Sequence, residues 1–416
     1  MKIYIIELNP MINSLSLTVF GRLLSSGLSF AIFLYLVRLV PTHVFGQYSL
    51  HLAYSAIVTL FGYTIIKKSI VRLGIPDRNI LKHLYTIALY LSLTLTLFSG
   101  VTYYLTSNNT VVYVLILAIS LGMFDIIQEI NLSFSRQLVF NCNLASRSVI
   151  MLIMLIAFPI ERLTVSSIIT LVSLSYFLVA SINLFYYRSL FSKKIQLDKV
   201  ILIVKFGLPL AMSTSMVYVV DFFDRIYIGQ MLNDSAVGIY SGIYTLSQQS
   251  VGVIMVAVYS YFWPKIVTNY SSEAHNLQKH HIRYYTLMGF IGVCIVIFSA
   301  GFHKVIITSF LGEEFVENSN IFLIVSASIV LSCIKAYCVD IHLLLMNKTK
   351  LVFLISIFNA LMNIVLNILL IESYGVIGAA YSTFITFLVS FCLTCLLVKR
   401  EYLKGRKNDN YINNNL

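Results

Sequence analysis

The stretch "TVSSIITLVSLSYFLVASINLFYY", Thr164–Tyr187, contains no Lys, Arg, Asp or Glu. As an α-helix it is long enough to cross a hydrocarbon core of roughly 30 Å, which takes about 20 apolar residues. Leu84–Tyr104, Thr110–Met123 and Tyr284–Ala300 are uncharged and apolar in the same way. The chain as a whole agrees: of 416 residues 58% are hydrophobic and only 11% charged, and the mean hydropathy is +0.86. A soluble chain of this length carries far more polar surface. A transmembrane barrel alternates polar and apolar residues in segments of about ten, and that pattern is absent. The fold class is therefore an all-α polytopic membrane protein. Twelve spans fit, centred near residues 25, 56, 94, 122, 152, 175, 217, 249, 291, 331, 361 and 386.

Charge placement orients the spans. Most of the 29 Lys and Arg fall on one side under this scheme, including Lys67, Lys68, Arg136, Arg147 and the run Arg188–Lys199. Arg38, Arg162, Arg225 and Lys304 fall on the other, and Arg22 and Lys335 lie within spans. Cytoplasmic loops carry the excess of Lys and Arg, so both termini are expected in the cytoplasm. The start, "MKIYIIELNPMINSLSLTVFG", has no small-residue cleavage site and reads as an uncleaved lead into the first span. The formal charge of +12 is accounted for by loops facing anionic membrane lipids, so no nucleic-acid partner is implied. Connections on the outer side are short, the longest lying near Phe302–Asn318, which leaves no room there for a catalytic domain. Cys392 and Cys395 form a CxxC inside "FLVSFCLTCLLVK" and are expected to be plain buried thiols.

An internal repeat is visible. Gly46-x-Tyr48-Ser49 follows the first span and Gly238-x-Tyr240-Ser241 the seventh. Six spans per half return the chain to the same side, so the halves share one orientation. The expected organisation is six helices in 1–190, a basic cytoplasmic linker at 191–199, six helices in 200–398 and a cytoplasmic tail at 399–416.

Charges within spans are the candidate functional residues, because each costs about 2.5–3.5 kcal/mol at the bilayer centre and faces a cavity or a partner. Arg22 and Lys335 each lie well inside their spans and lack an acid four residues away on their own helix. Asp125 and Glu129 share one face of the fourth span, either as a protonatable pair coupled to an H⁺ or Na⁺ gradient or as partners for Arg22. "YVVDFFDRIYIG", Tyr218–Gly229, holds Asp221, Asp224 and Arg225. Asp221 and Arg225 are spaced for a pair on one face, while Asp224 points elsewhere, toward the following loop. Asn359, Asn363 and Asn367 form a ladder on the eleventh span, as helix–helix hydrogen bonding or as a sugar-contacting stripe. Gly21, Gly27 and Gly207–Pro209 are candidate bends.

The stretch "VKFGLPLAMSTSMVYVVDFFDRIYIGQMLNDSAVGIYSGIYTLSQ" resembles the opening of the second half in bacterial polysaccharide flippases. Phe206–Gly207–Leu208–Pro209, Asp224–Arg225 and Val237–Gly238–Ile239–Tyr240 carry the likeness. "LYLVRLVPTHVFGQYSL", with Arg38, Pro41, Gly46 and Tyr48, looks like the family's first helix and loop. "NALMNIVLNILLIESYGVIGAAYST", with Asn363 and Gly378–Ala379–Ala380, looks like its last hairpin. The likeness covers nearly the whole chain and points to the Wzx-type O-antigen and repeat-unit flippases of the multidrug/oligosaccharidyl-lipid/polysaccharide (MOP) exporter superfamily.

That resemblance implies two six-helix bundles around a V-shaped cavity in the bacterial inner membrane. It implies an undecaprenyl-pyrophosphate-linked oligosaccharide as substrate, with other polysaccharide assembly proteins as partners. On it, Arg22, Lys335, Asn359 and Asn363 become candidates for substrate contact; Asp125, Glu129, Asp221, Asp224 and Arg225 become candidates for coupling or gating. The structural alternative for Arg22 and Lys335 is an ion pair with Asp125, Glu129 or Asp340. No cofactor is expected. A drug antiporter of the same superfamily and a membrane-embedded polymerase are the rival readings. The isolated cations Arg22 and Lys335 disfavour the first, the lack of a large external loop the second. The absence of HExxH and GxSxG argues against an enzyme.

Overall fold

The computed structural model describes residues 21, 24–74, 77–106, 109–192, 195–270, 274–346 and 348–413, and among them there are helices and no strands. The helices are α1 (Leu24–Leu39), then α2 (Thr42–Phe61), α3 (Tyr63–Ser69), α4 (Arg78–Thr106), α5 (Asn109–Ser133), α6 (Gln137–Ala157) and α7 (Val165–Tyr186). After them come α8 (Leu197–Met231), α9 (Asp234–Tyr270), α10 (Ala274–Phe310), α11 (Asn320–Ile334), α12 (Asp340–Leu345), α13 (Thr349–Tyr374) and α14 (Val376–Asn413).

Each expected span centre falls within the helix or broken helix it was meant for, the first of them at the very start of α1. Among the described residues nine helices are long and apolar enough to cross a membrane, or ten if the bent pair α2–α3 is one span. α1 is shorter. α9 has 37 residues but is diluted by Ser247–Gln248–Gln249–Ser250 in its middle. Many large apolar side chains lie on the outside, Tyr104, Phe185 and Ile182 among them, which suits contact with lipid.

The chain divides into two compact units, the first ending at Tyr218 and the second beginning at Val219, inside α8. In the first unit α5 is central and packs against α2, α3, α4, α6 and α7. Tyr63, Ile70, Leu84, Tyr85 and Ile126 form part of its core. In the second unit α11 is central, against α9, α10 and α14. α5 and α11 are the fourth and tenth expected spans, so the repeat extends to packing.

Small residues set the close approaches, as membrane helices require. A Cβ on Gly207 would lie 2.5 Å from Ile65 O and from Ser69 Oγ, so this glycine lets α8 meet the backbone of α3. Ser69 Oγ also donates to Ile203 O at 3.2 Å. The turn between α13 and α14 uses Gly375 at φ +64°. A Cβ on Gly378 would fall 2.0 Å from Leu370 O. Of the glycines read as possible bends, Gly207 and Gly21 are contact points, Gly21 abutting Asn141, while Gly27 has open space around it.

Candidate functional site

In the first unit the site starts from a break. The axis bends by 52° between α2 and α3 at Gly62, against which Leu91 is packed. A carbonyl at the bend is recovered by Thr64 Oγ1, which donates to Thr59 O at 3.2 Å. A π-helical turn, Ile70–Gly74, follows α3. This reoriented segment presents Lys67 to α5, where its Nζ donates to Asp125 Oδ2 at 2.7 Å. The two side chains are 28% and 48% exposed. Glu129, one turn along α5, feels the charges of Lys67, Asp125 and Lys68. Asp125 and Glu129 therefore do share a face, and the cation they meet is Lys67. Sequence reasoning had placed Lys67 in a loop. Arg22, the other proposed partner, lies outside the described residues.

A second in-span charge was also missed. Arg147 was placed in a cytoplasmic loop, but it sits at the middle of α6. Its guanidinium donates to Ser29 Oγ and Ser148 Oγ, both at 2.8 Å, and to the Tyr176 hydroxyl at 3.1 Å. Tyr48 of the first Gly-x-Tyr-Ser motif is electrostatically coupled to Arg147.

The second unit repeats that relation with the opposite sign. Asp224, on α8, is fully buried and Arg225 is 8% exposed. Asp224 Oδ1 accepts the Arg225 backbone N–H at 2.7 Å. Tyr240 of the second motif, on α9, interacts with the carboxylate. Neither Asp224 Oδ2 nor the Tyr240 hydroxyl has a partner at hydrogen-bond geometry. Asp224 thus packs against α9, and the expectation that it reaches the following loop is corrected. Asp221 Oδ1 accepts from the Tyr244 hydroxyl at 3.5 Å. Arg225 acts on Asp221 by charge while its guanidinium lies over Phe222 and Tyr244 at 5.2 and 5.1 Å. The Asp221–Arg225 spacing therefore yields a shared aromatic environment, whereas Lys67–Asp125, Lys335–Asp340 and Lys348–Glu401 form contact ion pairs.

Lys335 is not isolated. It opens a π-helical turn, Lys335–Val339, and its Nζ donates to Asp340 Oδ2 at 2.8 Å. The two side chains are 11% and 14% exposed. A π turn closes i to i+5 hydrogen bonds, which brings residues five apart to one side. Tyr284 donates to Tyr337 O at 3.0 Å, capping a carbonyl of that turn. Asn359, Asn363 and Asn367 are all buried, at 9%, 0% and 0% exposure. Asn367 Nδ2 donates to Asn363 Oδ1 at 3.0 Å, and Ser382 Oγ of α14 donates to Asn363 O at 3.2 Å. That ladder ties α13 to α14. Cys392 is exposed on α14 and Cys395 half-buried, so the expectation of buried thiols is corrected. On an apolar span such a surface faces lipid, which a thiol tolerates. No group of residues fit to hold a metal through His, Cys, Asp or Glu occurs among the described residues.

Each unit therefore sets charge inside apolar helices: a half-open basic–acidic cluster in the first, a closed acid–phenol cluster in the second. Tyr240 entered the sequence reading only through the Gly-x-Tyr-Ser repeat and the family likeness, with no role of its own, and Tyr244 was not singled out.

A family model described as "Polysaccharide biosynthesis protein" matches residues 35–320. No curated protein matches the chain significantly. Among solved structures, the lipid II flippase MurJ in an inward closed conformation superposes with a TM-score of 0.70 at 13% identity, covering 92% of this chain and 87% of that one. An inward-facing multidrug resistance MATE family transporter of the MOP superfamily gives 0.64 at 13% identity, covering 90% and 95%. The MATE multidrug transporter DinF-BH gives 0.56 at 15%, covering 92% and 95%. At these identities the likeness is one of fold.

Proposed function

Because the chain belongs to the polysaccharide biosynthesis protein family, we propose that it is a MOP-type flippase. Its substrate is an undecaprenyl-pyrophosphate-linked oligosaccharide, carried from the cytoplasmic to the outer leaflet of the bacterial inner membrane by alternating access. The chain is a multi-pass membrane protein, and its fold also serves a lipid II flippase. The observation that carries the reading is the Lys67–Asp125–Glu129 cluster. Three charges on two apolar helices, with Asp125 48% exposed, are costly toward lipid and suited to a polar path. Lys67, with Arg22, is assigned to the anionic carrier. Asp224, a fully buried acid facing the Tyr240 hydroxyl, is assigned to coupling with an H⁺ or Na⁺ gradient.

Deletion of the gene tests this. Single lipid-linked repeat units should accumulate on the cytoplasmic leaflet, and expression of the chain should clear them. Single units appearing on the outer leaflet would make it a polymerase. Lost resistance to organic cations with normal polysaccharide would make it an antiporter.

A further inference from the structure

The connection from α5 to α6 borders a cavity of about 840 Å³. It lies at the end of the first unit that the charge asymmetry assigns to the cytoplasm. Its wall includes Arg136, whose guanidinium lies 5.0 Å from the Tyr186 ring and 5.8 Å from the Tyr187 ring and donates to the Tyr187 hydroxyl at 3.4 Å. That hydroxyl donates in turn to Asn131 Oδ1 at 2.6 Å. Asn131 also lines the cavity and is fully buried, yet its Nδ2 has no partner. α6 begins here without a side-chain cap, and its first residues, Gln137, Leu138 and Val139, lie in the wall. A helix start offers N–H groups and a positive dipole end.

Fixed cation, amide donor and helix start all suit an anion, and no acidic side chain among the described residues lines the cavity. Leu138 and Ile182 on the same wall are 53% and 71% exposed, which opens it to acyl chains. One guanidinium balances one negative charge; a pyrophosphate carries more. We propose that this cavity holds the phosphate head group of an anionic phospholipid of the cytoplasmic leaflet, with an acyl chain along Leu138, Val139 and Ile182.

The test is native mass spectrometry of the full chain titrated with phosphatidylglycerol and with phosphatidylcholine. Wild-type protein should retain phosphatidylglycerol about tenfold better, the scale of one charge-assisted hydrogen bond. Arg136→Gln should remove the preference and Arg136→Lys keep part of it. Arg188→Gln, at an interfacial Arg stacked on Phe185, should leave it intact. Leu138→Trp adds bulk at an exposed position, spares the fold, and should also weaken retention by closing the mouth. Equal retention of both lipids by wild type, or an unchanged preference in Arg136→Gln and Leu138→Trp, overturns the proposal. So does displacement of phosphatidylglycerol by soluble glycerol phosphate, which marks a free-phosphate site, or preferential displacement by undecaprenyl pyrophosphate, which gives the site to the carrier.

Discussion

Lys67 Nζ lies 2.7 Å from Asp125 Oδ2, joining the short helix beyond the Gly62 bend to the central helix of the first unit. Side chains 28% and 48% exposed gain little from pairing, less than about 1 kcal/mol where water reaches them. Lys67→Ala should therefore leave membrane abundance near wild type, while export of lipid-linked repeat units falls at least tenfold. The charge-swapped double variant Lys67→Asp/Asp125→Lys should keep the pair and still fail to export. Recovery of export in the swap would reduce the pair to scaffolding.

Lys335 and Asp340 are expected to behave in the opposite way. Their pair is nearly closed to solvent, and removing one partner from a buried pair costs about 3–5 kcal/mol, because the other charge is stranded. Lys335→Met and Asp340→Leu should each lower membrane abundance and the melting temperature in detergent. The double variant should restore both. If Lys335→Met is instead as abundant as wild type and export alone is lost, Lys335 belongs to the substrate path.

Gly207 tests the helix contact within the first unit. A Cβ there would meet backbone at 2.5 Å, and backbone cannot rotate away as a side chain can. Gly207→Ala should cost about 1–3 kcal/mol, the range for overpacking, read as a lower melting temperature. Gly252 has open space around it, so Gly252→Ala should be silent or slightly stabilising through better helix propensity. Equal melting temperatures for the two variants would contradict the close approach.

How much of this could be read from sequence depends on spacing and on helix ends. Long uncharged runs such as Thr164–Tyr187 fix helices in a bilayer, so helix positions were legible. The i to i+4 rule correctly put Asp125 and Glu129 on one face. Asp340 was among the partners offered for Lys335, but the rule could not set the two on one side of a helix, because their spacing of five aligns only across a π turn. It also overstated Asp221–Arg225, since aromatic rings compete for the guanidinium. Arg147 was misplaced because hydropathy centred its helix near residue 152, whereas the helix runs from Gln137 to Ala157 and puts Arg147 midway. Lys67 was hidden by the bend at Gly62, which keeps the chain helical past the point where the basic cluster suggested a loop. Among the described residues nine to ten helices pass as spans against twelve expected, because polar residues in α9 dilute a helix that is long enough and α1 is described only over Leu24–Leu39.

Asp224 carries the last prediction. Its side chain is fully buried, one oxygen is held by the Arg225 backbone N–H, and the Tyr240 hydroxyl faces the carboxylate. A carboxylate buried in an apolar span is costly to keep charged, a cost retained where the acid takes up a proton or a small cation during transport. Asp224→Asn keeps shape and volume and loses the charge. It should leave abundance and melting temperature close to wild type while export falls at least tenfold and no longer responds to collapse of the ion gradient. Tyr240→Phe removes the hydroxyl that faces the Asp224 carboxylate, and its export should fall less than in Asp224→Asn. A purely structural Asp224 predicts the reverse order of effects: lower abundance in Asp224→Asn, with normal export per molecule and an intact response to the gradient. Measuring export per molecule of membrane protein, with and without an uncoupler, separates the two, and normal gradient-responsive export by Asp224→Asn would end the coupling assignment.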